Sequence, residues 1–188
     1  MLTQKERRSA EAIEQAIARD EWLRARRLIR AALSRKADDH FLLSRLALTY
    51  YEQRQYRRAL NYEIKALQIK PYCPLAIWGY AGTLAMLERD KEALQIYRWL
   101  ISWGEDELAY GPCGEGIQRA RSLIADCFYR IACVHEALGL HKRALLFYKE
   151  HLSRRTRGTR SIYPLKDVKA NMKALQERAK ASNSSIHK

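Results

Sequence analysis

Along most of this chain apolar side chains recur with the spacing of one face of an α-helix. Leu43, Leu46, Ala47 and Tyr50 fall at i, i+3, i+4 and i+7, which sets them on a single helical face. Ala59, Tyr62, Ala66 and Ile69 make a second stripe a short turn later. Neither helix can bury its stripe alone, so the two must pair and each pair must lean on its neighbours. The same spacing predicts one long helix from Ile117 to Leu138, with Ile117, Ala120, Ile124, Phe128, Ile131 and His135 roughly on one face. A last basic helix is expected from Leu165 to Ala181, followed by a frayed tail at 182–188. Residues 104–116 contain four of the eight glycines, and no regular helix is expected there.

The pattern also repeats. Arg58-Ala59-Leu60 aligns with Glu92-Ala93-Leu94 at an offset of 34 residues, and Ala25 stands 34 residues before Ala59. Arg143-Ala144-Leu145 repeats the motif once more. In the stretch from His40 to Cys73, Leu43, Leu46, Ala47 and Tyr50 are followed by Tyr56, Ala59, Ala66 and Pro71. With that period and those residues the chain resembles the tetratricopeptide-repeat family over about four-fifths of its length. Glu63 stands where the family usually has an aromatic, with Tyr62 beside it. Residues 74–107 keep Ala81, Ala93 and Tyr97 but lack the closing proline, and residues 125–158 keep Phe128, Ile131, Ala132, Gly139, Ala144 and Tyr148. Residues 1–39 retain only Ala25, Ala32 and Leu33, as in a degenerate terminal repeat.

The resemblance implies an all-α fold, a right-handed superhelical stack of about four helical hairpins with a C-terminal capping helix. Its segments would be 1–39 (degenerate repeat), 40–73, 74–107 and 125–158 (repeats), with a Gly-rich insertion and helix extension at 108–124. The basic cap would occupy 159–181 and the tail 182–188. It also implies a concave face lined by the first helix of each pair.

Composition is compatible with this reading and narrows it. Hydrophobic residues make up 47% and charged residues 30%, which excludes a wholly disordered chain. No apolar run approaches the roughly 18 residues of a bilayer span, so no membrane segment is expected. Met1 to Arg8 carries charges with no apolar core behind them, so no secretory signal is expected and the chain reads as cytoplasmic. Cys73, Cys113, Cys127 and Cys133 form no Cys-x-x-Cys pair and are expected as reduced thiols. The net charge is +14, and residues 141–188 hold 13 basic against 3 acidic side chains. Arg154, Arg155, Arg157, Arg160, Lys166, Lys169 and Lys173 form a candidate basic patch in that stretch. Lys166, Lys169 and Lys173 lie at i, i+3 and i+7 and should share a face.

Catalytic chemistry finds little to stand on. His135 and His141 flank a turn with Cys133 nearby, but His135 occupies a packing position of the repeat, and zinc needs ligands converging from two places. Gly111 to Gly116 opens a helix as a phosphate loop would, yet lacks the Lys-Ser/Thr pair and a preceding strand. Neither a paired-carboxylate site nor a Ser-His-Asp arrangement is recognisable. The expectation is a non-enzyme without cofactor or metal.

The inner-face positions implied by the family are Ser44, Arg45, Leu48 and Glu52, then Leu75, Trp78, Gly79, Gly82 and Met86, then Asp126, Tyr129, Arg130 and Cys133. Each mid-helix glycine costs about 1 kcal/mol relative to Ala. Gly79 and Gly82 either open a slot beside Trp78 for an apolar anchor or permit close helix packing. The family's co-chaperone members grip a C-terminal carboxylate with Lys, Asn and Arg; Ser44, Leu48, Trp78 and Gly82 stand at those places here, so that clamp is absent. The expected function is an adaptor that binds a peptide or helix of a protein partner through Arg45, Leu48, Trp78, Gly82, Met86, Tyr129 and Arg130. The alternative is a nucleic-acid-associated role through the basic C-terminus. Exposed ends of a helical stack can self-associate, so a dimer is compatible with the sequence.

Overall fold

The computed structural model describes residues 4–156 and 159–185. Among these residues there are ten α-helices and no strand. The chain divides into two compact units, Met1–Arg89 and Asp90–Lys188. The boundary falls between the two helices of the stretch 74–107.

Unit 1 contains α1 (Gln4–Ala18), α2 (Trp22–Leu33), α3 (His40–Tyr51), α4 (Tyr56–Ile69) and α5 (Pro74–Met86). Asp39 caps α3, its carboxylate accepting the Phe41 and Leu42 N–H groups at 3.1 and 3.2 Å, which satisfies donors that the first turn leaves unpaired. Pro74 opens α5, where its missing N–H costs nothing. Ile13, Ile29, Ala32, Leu46, Tyr50 and Ala59 form the core that joins the first two hairpins. The α4 stripe differs from expectation. Ala59, Glu63 and Ala66 are its buried residues, while Tyr62 and Ile69 are half-buried.

Four turns share one backbone geometry. Asp20, Arg54, Glu88 and Gly139 take φ values of 57°, 56°, 61° and 70°. In each turn the residue after the left-handed one bonds back across the helix end: Glu21 N–H to the Ala16 carbonyl, Gln55 to Tyr50, Arg89 to Leu84 and Leu140 to His135. The left-handed residue itself bonds to Ile17, Tyr51, Ala85 or Glu136. These are Schellman closures, which satisfy carbonyls left open at the helix end. Asp20, Arg54 and Glu88 recur at the period of the sequence repeat, and Gly139 follows one and a half periods later. Glycine is the residue best suited to this conformation, and only the fourth turn has it.

Unit 2 contains α6 (Asp90–Ser102), α7 (Gly104–Tyr110), α8 (Ile117–Ala137), α9 (His141–Arg154) and α10 (Leu165–Ser185). The long helix expected over 117–138 is α8, of 21 residues. The stretch 104–116 corrects the sequence reading in part, because Gly104–Tyr110 is helical. Its glycines stand at the helix start and beyond its end, and Glu105, Asp106 and Glu107 occupy the first turn, where carboxylates suit the helix dipole. α10 runs through Ser185 rather than ending at Ala181. Ala132, Ala144, Tyr148, Val168 and Leu175 form the core by which α10 packs on α8 and α9.

Candidate partner-binding surfaces

In unit 1 the expected contact residues lie on α3 and α5. Arg45 is engaged within the unit. Its Nε donates to Glu14 Oε1 of α1 at 2.7 Å, and its guanidinium lies 4.7 Å from the Phe41 ring centroid. Leu48 and Trp78 are half-buried, Gly82 is buried and Met86 is exposed. Gly79 has an intrachain explanation: a Cβ there would overlap the Glu63 carboxyl. The missing side chain makes room for the acid that stands in place of the family's aromatic.

Glu63 is only 4% exposed. Burial pushes its pKa up to about 8, while the Ser44 hydroxyl, which donates to Oε2 at 3.2 Å, and the Arg45 charge pull it down. Removal from water disfavours the carboxylate more than one hydroxyl and one already-paired guanidinium favour it. Ser44, an inner-face residue by its register, is thereby turned toward a buried neighbour.

In unit 2 the expected contact residues lie on α8, and the chain itself covers them. The Tyr163 ring stacks on Tyr129 with centroids 3.7 Å apart and planes at 15°. Tyr148 and His151 meet the Tyr129 ring edge-on at 5.4 Å. Arg130 holds its guanidinium 5.6 Å from the Tyr163 centroid. The backbone before Tyr163 is tethered to α8 as well: Arg160 N–H donates to Ser122 Oγ at 3.0 Å and Ile162 N–H to Asp126 Oδ2 at 3.2 Å. Arg155 donates to the Tyr163 carbonyl at 2.8 Å, which closes the segment. Asn171 and Arg178 of α10 continue along α8, to Tyr129 Oη at 3.4 Å and Glu136 at 3.6 Å.

Several ionisable groups of unit 2 are buried or half-buried. Burial raises the Asp126 pKa, opposed by the Ser161 hydroxyl, the Ile162 N–H, His151 and Arg155. Burial lowers the His151 pKa, against the Ala125 carbonyl and Asp126. His151 Nδ1 lies 2.8 Å from that carbonyl and so carries the proton donated to it. His135 packs on Phe147 with its Nδ1 2.8 Å from the Ile131 carbonyl of its own helix, a packing role. Burial holds the Cys127 thiol well above its usual pKa and raises that of Cys133, which lies 3.5 Å from Tyr148 Oη.

No protein-family model matches the sequence, and no curated protein matches it. Solved structures do match. The TPR2AB domain of yeast Sti1, in its pHSP90 complex, is similar with a TM-score of 0.60 at 16% identity, over 78% of this chain and 50% of that one. The chain has a tetratricopeptide-repeat fold. BtubC (BKLC) from P. vanneervenii superposes with a TM-score of 0.68 at 16% identity, over 91% of this chain and 71% of that one. MamA 41-end from Desulfovibrio magneticus RS-1 gives 0.65 at 11% identity, over 100% and 92%.

On this tetratricopeptide scaffold the basic residues fall into two groups. Lys166, Lys169 and Lys173 are exposed along α10, and the Arg160 side chain is exposed before it. Arg154 and Arg155 are partly engaged. Arg154 pairs with Glu150 at 2.9 Å and lies 5.3 Å from the Phe128 centroid, and Arg155 holds Tyr163. Arg157 lies outside the described residues. Sequence reasoning missed Tyr163 and the buried role of Glu63. A tyrosine just before Pro164 in a basic loop was the available signal for the first. For the second it was an acid in the apolar register, followed by a glycine in the middle of the next helix.

Proposed function

We propose that the chain is a non-catalytic adaptor, cytoplasmic, that holds a peptide or helix of a protein partner. The observation that carries this reading is how α8 receives residues 160–163 of the same chain. Side chains of the helix accept N–H groups of a bent, non-helical segment, and an aromatic ring anchors it, as when a helical surface captures a peptide. The yeast Sti1 domain with the same fold was solved with pHSP90, which supports a partner-holding role for this chain. Leu48, Trp78 and Met86 with Arg45 are the contact residues in unit 1, while Gly82 is buried in α5. In unit 2 they are Tyr129 and Arg130, which a partner reaches by replacing or extending the segment they now hold.

Affinity capture with the native chain and with a Trp78→Ala, Arg130→Glu variant tests this. The native chain recovers a partner that the variant loses. Identical recovery by both, with the variant folded, refutes the residue assignment. A second reading rests on the exposed lysines of α10. A row of cations meets a polyanion by releasing counterions, with little sequence selectivity. Binding to generic RNA with a steep salt slope, lost on changing Lys166, Lys169 and Lys173 to Gln, would favour it over the adaptor.

A further inference from the structure

Tyr50, near the end of α3, gathers three guanidinium groups within unit 1. Arg30 Nη2 donates to its hydroxyl at 2.7 Å. The Cζ atoms of Arg26 and Arg58 lie 4.8 and 5.9 Å from its ring centroid. The ring is held in turn by a parallel stack on Tyr62 at 5.5 Å.

The remaining partners of these arginines are neutral. Arg26 donates to the Thr49 carbonyl at 3.3 Å, and Arg58 to Gln55 Oε1 at 2.8 Å. No ion pair to any of the three occurs among the described residues. Arg26 is only 6% exposed. A buried cation normally has an anion beside it, because desolvation costs several kcal/mol. A carbonyl dipole and a π face offset only part of that cost. Two further cations at the same ring add repulsion. Arg30 and Arg58 are exposed, so an anion from solvent can reach these two guanidinium groups.

The anion can be narrowed by geometry. Guanidinium forks match the oxygens of phosphate or carboxylate, and three converging positive charges suit a dianion better than a monoanion. A nucleic acid presents a line of phosphates and needs a stripe of cations, as on α10, whereas these arginines converge on one residue. We propose that Arg30 and Arg58, with Arg26 behind them and Tyr50 holding all three, form a site for a single phosphate group on a phosphorylated side chain of a protein partner. The protein carrier rests on the adaptor reading. The phosphate site does not, and can be tested with no partner present.

The test is a titration of the full chain with phenyl phosphate at constant ionic strength, followed by NMR of the arginine Nε–H resonances. Benzoate and a ribohomopolymer are titrated in parallel. Expected are saturable shifts at Arg30 and Arg58 with half-saturation on the order of millimolar. Arg30→Gln and Arg58→Gln each weaken binding by about tenfold, and Arg30→Lys recovers part of the loss. Arg24→Gln, an exposed arginine paired with Glu21, leaves binding unchanged. Should a glutamine variant fail to fold, Tyr50→Phe releases Arg30 alone and must weaken phenyl phosphate too. The site is overturned by non-saturating shifts, by equal affinity in the glutamine variants, or by benzoate binding as tightly as phenyl phosphate. Ribohomopolymer binding that depends on Arg30 and Arg58 overturns it as well. If phenyl phosphate fails to bind while the native chain and the Arg30→Gln, Arg58→Gln variant capture the same partner, the phosphate site falls and the adaptor stands.

Discussion

Replacing Glu63 with Gln should make the protein more stable at pH 8, and the gain should vanish in acid. Glu63 is buried with a pKa pushed up to about 8, from an ordinary 4.5. Below pH 4.5 both folded and unfolded chains hold the proton, and the acid costs nothing. Between 4.5 and 8 the unfolded chain releases the proton while the folded chain keeps it, so stability falls as pH rises, by about 1.4 kcal/mol per pH unit. Above 8 both states are ionised and the loss is complete. From pH 5 to pH 8 the loss amounts to about 3 kcal/mol. Gln has nearly the same shape, still accepts from the Ser44 hydroxyl, and does not ionise. Urea or thermal unfolding of the native and Glu63→Gln proteins across that range isolates the effect, because other titrating groups cancel in the difference. The variant should be within about 1 kcal/mol of the native protein at pH 5 and about 4 kcal/mol more stable at pH 8. A difference that does not change with pH would refute the buried-acid account. Gly79→Ala should cost about 2 kcal/mol through overlap with the same carboxyl, and a Glu63→Ala background should remove most of that cost.

Other consequences can be measured the same way. Arg54→Gly should stabilise by about 0.5–1 kcal/mol by relieving a left-handed residue with a Cβ, and Gly139→Ala should destabilise by about 1 kcal/mol; denaturant midpoints with unchanged slopes check both. Tyr163→Ala should destabilise unit 2 by about 2–4 kcal/mol and speed amide exchange at Ile162. Tyr163→Phe should be neutral or slightly stabilising, since the buried hydroxyl has no hydrogen-bond partner among the described residues. His151, whose pKa burial lowers, should cost stability as pH falls below about 6.5. His151 should stay neutral in imidazole NMR titrations down to a lower pH than an exposed histidine.

The helices and their pairing were legible because the apolar residues of α3 and α8 repeat at helical spacing, and because one period runs through Ala25, Ala59 and Ala93. The left-handed turns were not legible at Asp20, Arg54 and Glu88. Their conformation comes from the helix-closing hydrogen bonds and not from the residue itself, and only Gly139 advertises it. Glu63 was visible as a misfit, but its burial depends on Gly79, which belongs to a different helix. The surface residues were the least legible. Arg45 is taken by Glu14, 31 residues away, and Tyr129 by Tyr163, contacts that no local spacing encodes. A register argument gives the face on which a side chain stands. Which neighbour reaches it first is settled by long-range packing.

Hydrogen exchange of the chain alone and in complex with a protein that co-purifies with it tests the adaptor account most directly. Slowed exchange over residues 40–51, 74–86 and 122–137, with loosening of 159–163, is the predicted footprint. Protection confined to 154–173, or none at the inner faces of α3, α5 and α8, would contradict it.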